Sequence, residues 1–377
     1  MKTHRIVSTT LIFVAVLFLA APENARAQSC SRPYFVEQSF PTAGPEETRW
    51  RICWQMQQRH GLVITSAHFR KSPSSPWVRV FWDARIGEIY VPYHTGFAFF
   101  DVSDFTFGWV PINSNDCPAA KGGTPLGPGP DVCKEVRDRG LAWKDDTDVR
   151  RGEEVVLWGV IDAANYNYIV EWTFRDDGVI LGRVGATAQN LPGSQDVAHM
   201  HGPIWRLDID LDGFWGDTVH KGVHTENLPG STATDTAPMI NVETGLQWED
   251  VNFTSLHIHD ASLQNRQRNA SMYHLMPLRW GKQRHDPDVT KQDFWVTRYR
   301  GTEMLARELP TYISNAEDVS NQDVVVWYYG GVHHLPRDED FNPGNSQWPG
   351  VAHVMWTGFM LKPHNFFDNT PLYPPRR

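Results

Sequence analysis

The sequence predicts an all-β fold, a large sandwich of antiparallel sheets with few and short helices. Three observations predict it. Compact runs of β-branched and aromatic residues recur along the chain, among them Glu154 to Ile161 and Val324 to Tyr329. Apolar positions alternate at Val78, Val80 and Trp82, and again from Trp205 to Asp212. Helical periodicity is scarce, and no repeat, heptad or linker divides the chain.

Taken in order, the chain opens like a secretory signal peptide over residues 1–27. Lys2 and Arg5 precede an apolar run from Leu11 to Ala21, too short to span a bilayer, and Ala25-Arg26-Ala27 forms a cleavage site. The mature product is expected to begin at Gln28 and to be secreted or periplasmic. A short N-terminal segment, 28–59, leads into one large domain over 60–377. No later segment is apolar enough to cross a membrane. Asn167 to Phe174 leads into Asp176-Asp177-Gly178 and Val179 to Val184 leaves it, the pattern of a hairpin. In Trp205 to Asp212 the odd positions are apolar and the even ones charged, so this segment reads as a half-buried strand. Candidate helices are Pro130 to Arg139 and Gly301 to Leu309.

The formal net charge of −9 leaves no basic footprint for a nucleic acid. The four cysteines suffice for two bridges in an oxidising compartment. Cys117 and Cys133 flank a Pro/Gly-rich loop, and closing a loop of that size contributes about 3 kcal/mol by restricting the unfolded chain. Cys30 and Cys53 are the remaining pair.

Chemistry-bearing residues are spread widely. His199 and His201 are two apart, so on extended backbone both imidazoles leave one face and can meet one ion. Gly202-Pro203 after them places the pair at a strand end. His257 and His259 have the same spacing and read as a surface strand; His220 and His224, split by Gly222, read as loop residues. Of the adjacent His333 and His334, at most one can enter a site, and the motif does not choose between them. Tyr166 lies in Ala164-Asn165-Tyr166-Asn167-Tyr168. A third histidine beside the His-x-His pair would suit a first-row transition metal, copper(II) above all, and a tyrosine near copper is an oxidisable group. Asp101 follows the apolar Phe97-Ala98-Phe99-Phe100, where desolvation would raise its pKa towards that of a general base. Asp208 and Asp210 share a strand face and Asp323 begins another strand, a set able to hold a hard cation such as calcium.

From about residue 60 onward these segments resemble, in order, the catalytic domain of the copper amine oxidases, the topaquinone enzymes. Glu88-Ile89-Tyr90-Val91-Pro92-Tyr93 resembles the family strand ending in Val-Pro-Tyr, and Phe100 to Phe105 its Phe-Asp-x-Gly-Glu-Tyr segment. Asn165-Tyr166 resembles the cofactor motif, and His199-Met200-His201 with Arg206-Leu207-Asp208 the His-x-His segment. Trp295 to Tyr299, Gln322 to Trp327, His334-Leu335-Pro336-Arg337 and Gly358 to Pro363 follow as they do there.

The resemblance implies a role for each position. Tyr166 is similar to the tyrosine that bound copper and dioxygen convert to topaquinone. His199, His201 and His334 resemble the copper ligands and Asp101 the catalytic base. Tyr93 resembles the residue that hydrogen-bonds a quinone oxygen, and Asn165 the one that orients the ring. Asp208 and Asp323, with the carbonyls of Ile209 and Val324, resemble a second cation site, suited to calcium. Cys117 and Cys133 resemble the family disulfide. The implied reaction takes a primary amine and dioxygen to aldehyde, ammonia and hydrogen peroxide. Homodimers are usual in the family, so a homodimer is an open option. Some positions depart from the family pattern: Asp162 stands for its threonine, Asn167 for its acid after the tyrosine, and Ser103-Asp104 for its Gly-Glu. These departures motivate a second reading, a non-catalytic copper- or amine-binding β-sandwich descended from the same family.

Overall fold

The structure, a computed structural model, describes residues 30–31, 33–105, 108–189, 196–225, 234–249, 255–278, 287–340 and 350–371. The signal-peptide expectation over 1–27 lies outside the described residues. From Ser31 onward the chain builds two antiparallel sheets. The first runs, neighbour to neighbour, through Phe35–Phe40, Thr48–Gln57, Gly61–Arg70, Val78–Pro92, His199–Ile209, Val324–Tyr329, Phe294–Arg298 and Thr244–Leu246. Val332–His334 pairs with His199–Ile209, and Ala98–Phe100 with Val78–Pro92. The second runs through Thr234–Thr236, Asp217–Thr225, Ser255–Gln264, Ala270–Leu278, Val351–His364, Ile180–Gln189, Tyr166–Arg175, Val149–Ala163, Val132–Lys144 and Gly123–Leu126. No helix among the described residues is long and apolar enough to cross a membrane.

Alternation along each strand sends one set of side chains between the sheets, where aromatics meet across the gap. Trp50 packs on Phe174 at 5.1 Å, Phe81 on Trp172 at 5.9 Å and Trp205 on Phe359 at 5.4 Å between ring centroids. The Trp172 indole also donates across the gap to the Leu62 carbonyl at 3.1 Å. Truncating a fully buried ring such as Trp172 to alanine should cost about 3–5 kcal/mol. The Asp176–Gly178 hairpin forms as the sequence indicates. Arg175 N donates to Val179 O at 2.9 Å, and Gly178 takes the left-handed φ of 82° that the turn requires. Cys117 and Cys133 are bridged, with Cα atoms 5.7 Å apart.

Four local expectations are corrected. Trp205 to Asp212 is no half-buried strand, because every residue of His199–Ile209 is buried. It is central, and its charged face is covered by partners: Arg206 donates to Glu303 Oε1 at 2.8 Å and to Asp83 Oδ1 at 3.1 Å. Pro130 to Arg139 is not a helix. Val132–Lys144 is a strand paired along Val149–Ala163 and pinned by Cys133, so sheet pairing overrides local preference. Gly301 to Leu309 is helical only in the 3-10 turn Ala306–Glu308 before the short helix Leu309–Tyr312. Glu303 is drawn inward as counter-ion to Arg206, which an exposed helical turn would not allow. His220 and His224 lie on the strand Asp217–Thr225, not in a loop.

Candidate active site

His199 and His201 stand at the first and third positions of His199–Ile209, and Val332–His334 pairs with that end so that His199 faces His334 directly. In Val332–His334 alternate residues turn inward, which buries His334 and exposes His333. The three imidazoles come together from the first sheet, while Tyr166, at the start of Tyr166–Arg175, reaches them from the second. One nitrogen from each histidine lies within 4.8 Å of the others. The Tyr166 hydroxyl is 3.0 Å from both His199 Nε2 and His334 Nδ1, and those two nitrogens are 3.3 Å apart.

The outer nitrogens fix which lone pairs face inward. His199 Nδ1 donates to the Val197 carbonyl at 2.8 Å, which leaves Nε2 for the site. His201 Nδ1 lies 3.1 Å from the Tyr168 oxygen, and its buried Nε2 has no hydrogen-bond partner. His334 Nε2 faces Asp340 Oδ2 at 3.7 Å, and Arg337 holds that carboxylate at 2.5 Å. Burial lowers all three histidine pKa values, His199 to about 4 and His201 well below the usual range, so the rings stay neutral. Three inward lone pairs share at most the one phenolic proton of Tyr166. This all-imidazole donor set fits copper.

Asp101 opens the four-residue helix Asp101–Asp104, which follows the strand Ala98–Phe100. Burial pushes its carboxyl up to about 7; the hydrogen bond from Tyr168 at 2.6 Å opposes this, and the charges of Glu88 and Asp104 add to it. Glu88, fully buried, anchors this turn: its carboxylate accepts from Ile89 N and Val102 N at 2.9 Å and from the Ser103 hydroxyl. Asp104 is tied to Arg307 at 2.5 Å. A cavity of about 220 Å³ connects Asp101 to Tyr166, with Tyr93, Val91, Phe99 and Phe105 in its walls. Asn165 and Ala164 complete it from the tight turn before Tyr166. The Tyr93 ring stacks between His199 at 4.4 Å and Phe97 at 4.5 Å, and burial raises its phenol pKa, as it does that of Tyr166. Asp162 is the cross-strand partner of Asn167, so an acid stands beside the position that lacks one.

Three contributors escaped the sequence reading. Tyr168 is two residues from Tyr166, so it was bound to share its face, and that spacing was the available signal. Glu88 and Asp340 carry no local mark. Away from this site, Asp208, Asp210 and Asp323 bring carboxylate oxygens within 4.8 Å of one another. These are the three carboxylates the sequence offered, and Asp217, on which the charges of all three act, adjoins them. Asp208 Oδ1, Asp323 Oδ1 and both oxygens of Asp217 are buried without a hydrogen bond. Ile209 and Val324 adjoin the cluster on buried strands. An all-oxygen set of this kind fits a hard cation.

The family model described as copper amine oxidase, enzyme domain, matches residues 133–375, more than half of the chain. The copper-containing amine oxidase gamma 2 of Arabidopsis thaliana is 26% identical over 86% of this chain and 58% of its own length. The primary amine oxidase of Pisum sativum is 22% identical over 86% of this chain and 58% of its own. The chain thus spans less than two thirds of the curated relatives it matches. Among solved structures, a copper-containing benzylamine oxidase from Hansenula polymorpha superposes with a TM-score of 0.68 at 20% identity, covering 96% of this chain and 64% of that one. A lysyl oxidase from Pichia pastoris gives 0.67 at 18% identity, covering 86% and 53%. Motif order, the meeting of three histidines with a tyrosine between two sheets, and these matches agree: the chain belongs to the copper amine oxidase family, through its enzyme domain.

Proposed function

We propose that this chain is an exported oxidase of primary amines, yielding aldehyde, ammonia and hydrogen peroxide. The observation that carries this is the Tyr166 hydroxyl, 3.0 Å from two copper-suited nitrogens and lining the same cavity as Asp101. His199 Nε2, His201 Nε2 and His334 Nδ1 would hold copper(II), and Tyr166 would be the precursor of topaquinone. Together those groups would supply the electron sink for amine oxidation and the route to dioxygen.

The chain's own residues supply the rest. Asp101, ionised above about pH 7, receives the α-proton of the bound amine on its carboxylate. Tyr168 keeps that carboxylate fixed, and Glu88 keeps its backbone fixed. Tyr93 and Asn165 confine the Tyr166 ring, and Val91, Phe99 and Phe105 exclude water. These apolar walls favour an aromatic or apolar amine. Phenylethylamine should turn over faster than putrescine, and a clear diamine preference would overturn that choice. A second cation, suited to calcium, belongs at Asp208, Asp210 and Asp323 with the carbonyls of Ile209 and Val324.

The test is the visible spectrum of copper-reconstituted, aerated protein before and after phenylhydrazine, with Tyr166→Phe alongside. A broad quinone band that shifts on derivatisation and is missing from the variant is expected. Full copper loading with no such band would overturn amine oxidation and leave a copper-binding sandwich.

A further inference from the structure

The four strands Asp217–Thr225, Ser255–Gln264, Ala270–Leu278 and Val351–His364 lie side by side in the second sheet. One face sends Val219, Leu256, Ile258, Tyr273 and Leu275 into the core. The alternate positions, on the outer face, carry His220, His257, His259, His274 and His364. Their rings form an unbroken series. His220 lies 4.6 Å from His259, His259 6.1 Å from His257, His257 4.6 Å from His274 and His274 5.3 Å from His364.

Thioethers are set among these imidazoles by register. Met272 is the cross-strand partner of both His259 and His364, Met239 partners His220, and Met276 partners Met360. Cross-strand partners on one face stand about 5 Å apart at Cβ, within reach of one another's side chains. Two ring nitrogens lack a hydrogen bond and two more converge on one hydroxyl. His259 Nε2 and His364 Nε2 are buried without a hydrogen bond. His257 Nε2 and His274 Nε2 both turn to one point, the Ser255 hydroxyl, at 3.3 and 2.5 Å. Gly222 makes room for this, since a Cβ there would lie 2.4 Å from His257 Nε2. Burial lowers the pKa of His257 and His259 to about 4 and that of His274 to about 3, so all three are neutral ligands at pH 7.

The arrangement also selects an ion. Among the described residues only the active-site histidines and the Asp208 cluster bring three such donors within 4.8 Å, so this face offers no closed imidazole cage of the kind zinc or copper(II) takes. It offers paired imidazoles flanked by soft thioethers. That chemistry suits copper(I), which accepts low coordination numbers and soft donors. Lys362, the cross-strand partner of His274, disfavours a divalent ion more than a monovalent one.

We propose that this outer histidine and methionine face binds copper(I), at a site separate from the His199, His201 and His334 centre. The experiment is an anaerobic copper(I) titration of the full chain against the chromogenic chelator bicinchoninate. It compares the natural chain, a His201→Ala variant that disables the inner centre, and, in that His201→Ala background, His257→Gln with His274→Gln, and Met272→Leu. The natural chain and His201→Ala should both withhold copper(I) from the chelator. The double histidine variant should lose that capacity, and Met272→Leu, a shape-conserving change that keeps the fold, should weaken it by about tenfold. Copper(I) retention that is the same in His201→Ala with and without the outer histidine and Met272 substitutions would overturn the proposal. So would zinc displacing the copper(I) at equal concentration.

Discussion

Tyr168 donates its hydroxyl proton to Asp101 Oδ2 at 2.6 Å, and the same oxygen lies 3.1 Å from His201 Nδ1. One phenol therefore links the proposed base to a proposed copper ligand, with Asp101 accepting at one end and His201 donating at the other. The link holds Asp101 in place and keeps His201 Nε2 free of its proton. Of the contributions to the Asp101 pKa, the Tyr168 bond is the one that lowers it, so Tyr168→Phe should move the acidic limb of the kcat/KM profile to higher pH. It should also weaken copper retention. An unshifted limb would mean that the bond does not act on the base.

As the proposed base, Asp101 should set a pH dependence of both activity and stability. A base with a pKa of about 7 loses activity as pH falls below that value. The folded carboxyl lies above its unfolded value of 3.8, so the native state keeps a proton that the unfolded chain has released. Its contribution to stability is present below the unfolded value, falls as pH rises towards about 7 and levels off above. Asp101→Asn should abolish turnover and flatten that part of the stability profile. Denaturant midpoints at a series of pH values measure it, and an unchanged slope would refute the linkage.

The turn before Tyr166 is strained. Ala164 has a φ of 64°, in the left-handed region, between Ala163 and Tyr166, which are cross-strand partners. A side chain there costs about 1–2 kcal/mol, and glycine removes that cost while adding freedom to the unfolded chain. Ala164→Gly should stabilise the protein by up to about 1 kcal/mol. It should also slow processing of Tyr166, because the ring is less firmly aimed. A lower denaturation midpoint would contradict the first statement, and quinone formation at the natural rate the second.

How much of this was legible in the sequence depends on which neighbours decide each residue. The β-sandwich followed from local pattern, because Val324–Tyr329 and the Asp176–Gly178 hairpin are specified by their own residues. The meeting of His199, His201, His334 and Tyr166 was implied by the family resemblance, since the motif alone did not choose between His333 and His334. The failures lie where distant partners rule. Arg206 and Asp208 look solvent-facing in an alternating segment, but inside they pair with each other, and Glu303 and Asp83 also face Arg206. Pro130 to Arg139 looks helical until the pairing of Val132–Lys144 with Val149–Ala163 is known. Glu88 could not be recognised as the support of Asp101, because the contact spans a turn that local pattern does not fix.

The acidic cluster makes the sharpest prediction about a second cation. Burial and mutual repulsion raise Asp208 and Asp217 well above the ordinary carboxyl range and Asp210 to about 8, and burial with the charge of Glu303 raises Asp323 to about 7. Arg79, 2.9 Å from Asp210, and Arg206, 3.4 Å from Asp208, oppose this without cancelling it. Each folded pKa exceeds its unfolded value, so without a cation this region stabilises the fold at low pH and loses that contribution as pH rises through 7 and 8. A bound calcium ion reverses the sign, because it needs the ionised carboxylates and competes with their protons. The melting temperature should therefore be higher with calcium than with a chelator at pH 8, and the gap should narrow at pH 6. At a calcium concentration a hundred times the dissociation constant the gain is about 2.7 kcal/mol. Asp323→Asn, which removes an oxygen charge without emptying the space, should shrink the gap at pH 8 while leaving copper content unchanged. Melting that is the same with calcium and with chelator at both pH values would show that Arg79 and Arg206 already balance the cluster.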